Sequence, residues 1–449
     1  MTVFFQAIKI AYLTARSFKR VNTIRTQLNR MSLMRLLVFV TVLFFSIKSF
    51  AQTTLEKEFP KSFKVEITNP INATRENAIV VLSPGQLAKV KDFNPKAFIV
   101  VSGQAEIPSQ YNSGDQKKGI VFVVGSIAAR EKLQVLVRYH PTATIARDYK
   151  KLTQAELSYR AGGEWKNREY IGGTFKNTSY LRVPKEHKDH SWFIRYEGPG
   201  WESDMVGYRL YLDQRNATDV FGKKTTDPVL QNVGQDGFDS YHNMQPWGMD
   251  VMKVGKSLGV GSIGALENGT AIRVEKTDSV NCLIAENGPV YSSILINYFG
   301  WLANNNKHDV QSRISIHAGT RLTREELKIS GSPKSIVTGI VKDTKAKLTS
   351  NRGDAQRWGY LATYGRQSLN DDDLGLVVFF DPARFVGFTE DEFSHIVSLK
   401  PDGNKLEYYL AGVWSGEPGG ITTEEQFMKF VNSTAASLAN PVQVKIVTK

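Results

Sequence analysis

Apolar residues at every second position, in short runs cut off by Gly, Pro, Asn or Asp, recur along almost the whole chain. Phe63, Val65 and Ile67 alternate with polar neighbours, and residues 78–82, 98–101, 120–124 and 133–139 are Val/Ile-rich. Ser83-Pro84-Gly85, Asn94-Pro95, Ser102-Gly103 and Asn112-Ser113-Gly114-Asp115 separate them. A period of two is that of a strand with one buried face, and this punctuation is that of turns. The pattern continues through 270–275, 290–299, 310–318, 374–380, 408–414 and a final PVQVKIV. One stretch alone has helical spacing: Phe427, Phe430, Val431 and Leu438, with Thr422 as cap, Glu425 completing a capping box and Pro441 beyond the stop. The fold class that follows is mainly β: a large antiparallel β-sandwich with few helices. An N-terminal β-rich lobe is expected over 52–150 and the main sandwich, a catalytic region, over 151–449. Residues 150–191, with Gly162-Gly163, Gly172-Gly173 and KEHKDH, read as a loop-rich connection.

Residues 1–51 are read as a leader rather than as part of the fold. Seven basic residues precede the apolar run LLVFVTVLFF at 36–45, and Ser49-Phe50-Ala51 fits a small-x-small cleavage site. Met31 is read as the true start. The run is shorter than the roughly 20 residues that span a bilayer. The expectation is export to the periplasm or medium, with no membrane attachment after cleavage. Eight basic groups and no acid lie in this leader, so +5 of the +13 formal charge remains for the rest. A nucleic-acid partner loses its main support, while a modest positive excess suits an anionic ligand. The single cysteine, Cys282 in the apolar context NCLIAE, excludes an internal disulfide and reads as a buried, inert thiol.

Chemistry-bearing residues concentrate in 192–265. A strand with Arg195 and Tyr196 is expected to run into Gly198-Pro199-Gly200, followed by Trp201, Glu202 and Asp204 and then a second strand with Tyr208, Arg209 and Tyr211. Glu202 and Asp204, two apart, face the same way on an extended segment. A loop carries Tyr241 and His242, and Trp247 lies just beyond. Among the seven histidines, His242 has the most site-like surroundings, and His317, on a strand face with Arg313 and Ser315, comes second. His187 and His190 flank Asp189 at a spacing of three, but no third ligand follows at a diagnostic distance, so no metal site is assigned. Lys253 to Gly261 lacks the phosphate-loop spacing, and G-x-S-x-G, H-E-x-x-H and paired C-x-x-C are absent.

The segments GPGWESDMVGYRLYLDQRNATDVFGKK and DSYHNMQPWGMDVMKVGKSLGVGSIGA resemble the DUF4861 family of Bacteroidetes polysaccharide-utilisation systems. The family includes oligosaccharide dehydratase activity in ulvan breakdown. The resemblance implies a dehydratase that removes water from a non-reducing-end uronic acid, leaving a 4,5-unsaturated sugar. A galactose-mutarotase-like supersandwich is compatible with the strand pattern.

Such a reaction takes the proton from C5, beside the carboxylate, and expels the 4-hydroxyl. A base, an acid and a group that offsets the carboxylate charge are needed. His242 is the expected base, Tyr241, Tyr360 or Tyr364 the acid, and Arg195, Arg209 or Arg357 the cation, with Arg209 placed among the catalytic residues. Arg195, Trp201, Glu202, Asp204, Trp247, His317, Arg357 and Tyr364 are the expected substrate contacts. No cofactor is assigned, and a divalent metal stays open as the charge-offsetting group. The partner expected is an acidic oligosaccharide. Three alternatives stay open: a polysaccharide lyase, a glycoside hydrolase and a non-catalytic glycan-binding protein.

Overall fold

The computed structural model describes residues 55–114, 118–237, 239–331 and 333–447. The leader assigned to 1–51, Met31 included, lies outside them. The chain divides into two units, Met1–Lys61 and Ser62–Lys449. In the first, residues 55–58 form a helical turn. No helix among the described residues is long and apolar enough to cross a membrane.

The second unit is mainly β, and its named strand pairings are antiparallel. Its N-terminal part has two sheets. One runs in the order Gln443–Val447, Lys61–Thr68, Lys132–Tyr139, Phe98–Ser102, Ala105–Ile107, and the other Arg75–Leu82, Gly119–Ile127, Ser109–Asn112. Val65, Ile67, Val80, Leu82, Phe122 and Val137 fill the space between them, the apolar members of the alternation. The chain's last strand joins this part: Val65 pairs with Ile446 and Ile67 with Val444.

The rest is built on a nine-stranded sheet. Its order is Tyr180–Arg182, Ser279–Asn287, Tyr291–Ala303, Asn306–His317, Thr323–Ile329, Lys405–Trp414, Leu374–Phe380, Gly359–Gly365, Ala346–Asn351. One face meets two five-stranded sheets. The first holds Thr153–Glu156, Gly200–Ser203, Val206–Leu210, Thr218–Lys223 and Gly248–Asp250; the second is centred on Ile336–Val341. Ile294, Ile314 and Leu376 of the large sheet share a core with Trp201, Tyr208, Val220 and Ile340 of the smaller ones, and Cys282 is buried in it. This is a β-sandwich, as the alternation predicts.

The opposite face of the large sheet carries the helix Glu424–Ala439. Phe427, Val431 and Ala435 pack on Tyr360, Tyr364, Val377 and Phe379. Its cap is Thr423, whose side chain accepts from the Gln426 amide, one residue later than the pattern indicates. The register shift puts Glu424 and Glu425 together in the first turn, where the helix dipole favours acids.

Two expectations are corrected. Residues 150–191 are not mainly loop: Ser158–Lys166 and Glu169–Asn177 form a hairpin in which Gly163 faces Gly172. Nor are Arg195 and Tyr196 on a strand. Arg195–Glu197 is a 3-10 turn with Tyr196 and Glu197 at φ 38° and 71°, which ends any extended run.

Phe427 stacks on Tyr364 at 5.1 Å between centroids, in a space kept open by Gly375. Phe427→Ala should cost about 3–5 kcal/mol, read by chemical denaturation. A second test concerns Glu325, buried in the large sheet with the Ser312 hydroxyl donating at 2.6 Å. Burial pushes its carboxyl up to about 8. The folded chain thus holds a proton that the unfolded chain releases above the usual carboxylate range. That contribution to stability is whole below this range and lost as pH rises through about 8. Glu325→Gln should gain on the parent protein as pH rises through that window, in paired denaturation curves.

Candidate functional site

The first five-stranded sheet is buried on both faces, and only one face is apolar. Ala155, Trp201, Tyr208 and Val220 point into the main core. Their sequence neighbours Glu156, Glu202, Arg209 and Asp219 point the other way by strand alternation, yet each is at most 5% exposed. The cover is the segment after Lys223, whose Val229, Leu230, Val233 and Tyr241 pack with Tyr196 and Phe221. A charged face under a lid must match every charge it holds. Lys223 pairs with Glu202 at 2.6 Å, and Glu202 also accepts the Val229 and Leu230 amides at 2.9 and 3.0 Å.

Arg209 is the hub. Strand register places it opposite Asp219. Its Nε and Nη2 donate to Asp219 at 3.0 and 2.7 Å, and Nη2 also donates to Asp250 at 2.6 Å. Nη1 donates to the Tyr241 hydroxyl and Nη2 to the Tyr211 hydroxyl, both at 2.9 Å. Tyr211 donates in turn to Asp219 at 2.8 Å. Burial, and then the neighbouring Asp250 carboxylate, push Asp219 up, against the pull of Arg209. Burial pushes Tyr241 up to about 12, so its hydroxyl stays protonated.

His242 stands at the open side of this hub. Its Nε2 lies 3.4 Å from Asp250, and 40% of its side chain is exposed. Interaction with the Asp250 carboxylate raises its pKa above the usual imidazole range, against partial burial. Its ring lies 4.7 Å from that of Tyr241. An imidazole oriented by a buried carboxylate, itself fixed by an arginine, is suited to proton transfer.

A second arm meets the hub through Glu197, 3.8 Å from Arg209. Arg215 binds Glu197 at 2.7 Å, Asp189 at 2.8 Å and Asp213 at 2.5 Å, and Asp189 lies 2.5 Å from His190 Nδ1. Burial would raise the Glu197 carboxyl, but Arg209 and Arg215 hold it below the usual range. Asp189, His190 and Glu197 offer ligating atoms within 4.8 Å of one another. Arg215 reaches both of these carboxylates. His190, Trp192, Tyr196 and Glu197 all have φ between 38° and 71°; such backbone clusters at functional sites.

The structure therefore gathers Arg209, Tyr241, His242 and Trp247, the last packed edge-on against Phe221 at 5.9 Å. It corrects the roles expected of several others. Arg195 is buried, bound to Glu156 and to the carbonyls of Gln231 and Val233, so it fastens the cover instead of facing a ligand. The donors of Arg209 are taken by protein acceptors. Tyr241 is buried with its hydroxyl on Arg209 and supports that arginine. Trp201 is a core residue whose indole donates to Thr323, and Glu202 is locked to Lys223. Asp204 accepts the Gly319 amide at 2.6 Å, and His317 lines a separate cavity of about 670 Å³ with Arg321 and Phe430. Tyr360 and Tyr364 lie beneath the helix on the far face of the large sheet, and Arg357, just before them, is exposed beside Asp354.

The family model for DUF4861, a domain of unknown function, matches residues 67–444. The chain belongs to this family. The match takes in both arms of the site. The chain is also 23% identical over 274 residues to "Uncharacterized protein P7" of Formosa agariphila, covering 55% of this chain and 66% of the relative, just under two thirds of its length. Among solved structures, an alpha-mannosidase of Enterococcus faecalis aligns with TM-score 0.44 and 9% identity over 86% of this chain and 46% of that one. A glycosyl hydrolase family 38 protein of Enterococcus faecalis aligns with 0.43 and 8%, over 86% and 47%. Likenesses this slight carry no argument about the reaction.

Sequence reasoning missed Asp219, Asp250, Glu197 and Arg215 in this DUF4861 chain, and weighed Asp189 and His190 only as metal ligands. The spacing of Arg209 and Tyr211 was a readable signal, since residues two apart share a strand face. Nothing local shows that Asp219 and Asp250 close on that arginine. Asp250→Asn should bring the His242 titration, followed by NMR, back down toward the ordinary imidazole value, because the group that raises it loses its charge.

Proposed function

We propose that this protein is a carbohydrate-active enzyme, and within that class a dehydratase. It would remove water from the non-reducing-end uronic acid of ulvan-type oligosaccharides to give a 4,5-unsaturated uronyl residue. The observation that carries the reading is the chain His242–Asp250–Arg209. It presents a half-exposed imidazole whose basicity is enhanced by a carboxylate, at the mouth of a buried charged network. Abstraction of a weakly acidic C5 proton needs a base of this kind. The resemblance to a family of polysaccharide-utilisation systems, and the Tyr241 ring 4.7 Å from that of His242, support a sugar as the ligand. The leader expected at 1–51 is what supports work in the periplasm or outside the cell.

In this reading His242 is the base, acting through Nδ1 because Nε2 faces Asp250. Arg209 is a positioning residue: it holds Asp250 and the Tyr241 hydroxyl and leaves the substrate to others. Trp247, packed edge-on against Phe221, is the aromatic surface assigned to the sugar.

The test is incubation of the protein with defined uronic-acid oligosaccharides, following ultraviolet absorbance and mass together. A dehydratase produces a conjugated chromophore and one product lighter by a single water. Two fragments with a chromophore would make it a lyase, two without would make it a hydrolase, and binding with no change of mass a glycan-binding protein. His242→Gln should lower kcat by roughly 10²- to 10⁴-fold, with the fold retained by circular dichroism.

A further inference from the structure

The cavity of about 670 Å³ that His317 lines lies between the N-terminal lobe, the large sheet and the C-terminal helix. We propose that it binds an acidic sugar, with Arg75 holding one carboxylate or sulfate and Phe430 lying against the ring. This site is separate from the Arg209 hub, and the proposal does not depend on the dehydratase reading.

Three parts of the fold build the walls. Arg75 and Asn77 come from the lobe strand Arg75–Leu82, Ser315 and Arg324 from paired strands of the large sheet, and Phe430 from the helix. The lobe is fastened at two points beside the opening. The Asn77 side-chain amide donates to the Gly319 carbonyl at 2.8 Å, and a Cβ on Gly319, at φ 73°, would meet the Asn77 side chain at 2.5 Å. Arg75 donates to the carbonyls of Ser437, at 3.2 Å, and Asn440 at the end of the helix. The enclosed volume falls in the range of roughly 300–1,000 Å³ typical of small-molecule sites.

Charge decides what kind of ligand fits. Arg75, Arg321 and Arg324 all line the cavity, while the acids that answer Arg321 and Arg324 stand behind them. Glu417 lies 2.5 Å from Arg321, and Glu407 and Glu326 lie 2.6 and 2.9 Å from Arg324; none of the three lines this cavity. Burial pushes Glu417 up to about 7, against the pull of Arg321, so near neutral pH it matches that arginine only in part. Arg75 has no carboxylate partner among the described residues. Two of its five N–H donors go to the helix carbonyls, Nε finds no acceptor, and one on each Nη is left over. Burial lowers its pKa, with no acid opposing the shift. Glu76, an acid that does line the cavity, makes no ion pair with Arg75 and accepts from Ser126 on the adjacent strand. A monoanion supplies the missing partner through charge-assisted hydrogen bonds.

The remaining wall selects a sugar over a bare ion or a fatty acid. The hydroxyls of Ser315, Thr434 and Ser437 line the cavity, and among the described residues none of them bonds to protein, although Ser315 and Thr434 are only 4% and 8% exposed. Buried hydroxyls want partners, and an alkyl chain would leave them without any. A sugar brings its own hydroxyls. Its apolar C–H face suits the Phe430 ring, whose centroid lies 5.9 Å from the Arg321 guanidinium.

The test follows the methyl NMR signals of Ile79 and Leu322, which line the cavity, during titration with digalacturonate, neutral galactobiose or octanoate. The parent protein is expected to bind digalacturonate there and neither of the others. Arg75→Gln should weaken that binding roughly ten- to hundredfold. Ser433→Trp, at an exposed helix position on the cavity wall, should block the space and abolish binding while melting as the parent does. It leaves the Arg75 contacts in place, so it decides the matter even where Arg75→Gln loosens the lobe. His242→Gln should bind at this site as the parent does. No digalacturonate binding by the parent, parent-like affinity in Ser433→Trp or in a folded Arg75→Gln, equal affinity for galactobiose, tighter binding of octanoate, or loss of binding in His242→Gln would each overturn the proposal. None of these outcomes involves turnover, so the dehydratase reading stands or fails separately.

Discussion

Arg209 is a full positive charge buried in a β-sheet, and much of the surrounding architecture answers to it. An unpaired guanidinium there would cost several kcal/mol. Two carboxylates and two tyrosine hydroxyls take up its donors. Those partners come from four places in the chain: the adjoining strand for Asp219, the end of its own strand for Tyr211, the cover for Tyr241 and the edge strand for Asp250. Satisfying one side chain thus fixes the register of the sheet, the seating of the cover and the orientation of His242 together.

The cover repeats this logic with other charges. Arg195 reaches from the turn before the sheet to Glu156 on the sheet and to carbonyls of the cover. Glu202 takes two amides of the cover while it neutralises Lys223. Gly234, at φ 67°, lets the chain pass close to both Tyr241 and Arg195, where a Cβ would press on the tyrosine ring at 3.3 Å. The cover is held by buried electrostatics as well as by its apolar residues. The cost is that the same charges are spent inside the protein, which is why exposed imidazoles, rather than the arginines, end up facing outward.

Each half of this arrangement relates differently to the primary structure. The strands, the long C-terminal helix and the inward residues were legible in the alternation, because period two and period 3.6 follow from local backbone geometry and the need to bury one face. That His242 lies beside Tyr241 in a loop was legible too, since a Gly- and Asp-rich stretch stands apart from the apolar runs. Trp201 and Glu202 misled for one reason: aromatics and acids near a glycine turn look alike whether the surface above them is open or covered. Tyr360 and Tyr364 misled because parity tells which residues share a face, not which layer lies on it.

By itself the sequence determined the class of fold, the strand faces and the stretch where the chemistry is concentrated, all properties of neighbours along the chain. Only the tertiary structure decided which carboxylates meet which arginine, that Arg195 and Arg209 are occupied inside the protein, and that His242 meets Asp250. Those pairings join residues brought together by sheet order and by a cover folding back, and the stability of a buried ion pair depends on distances that no run of residues encodes locally.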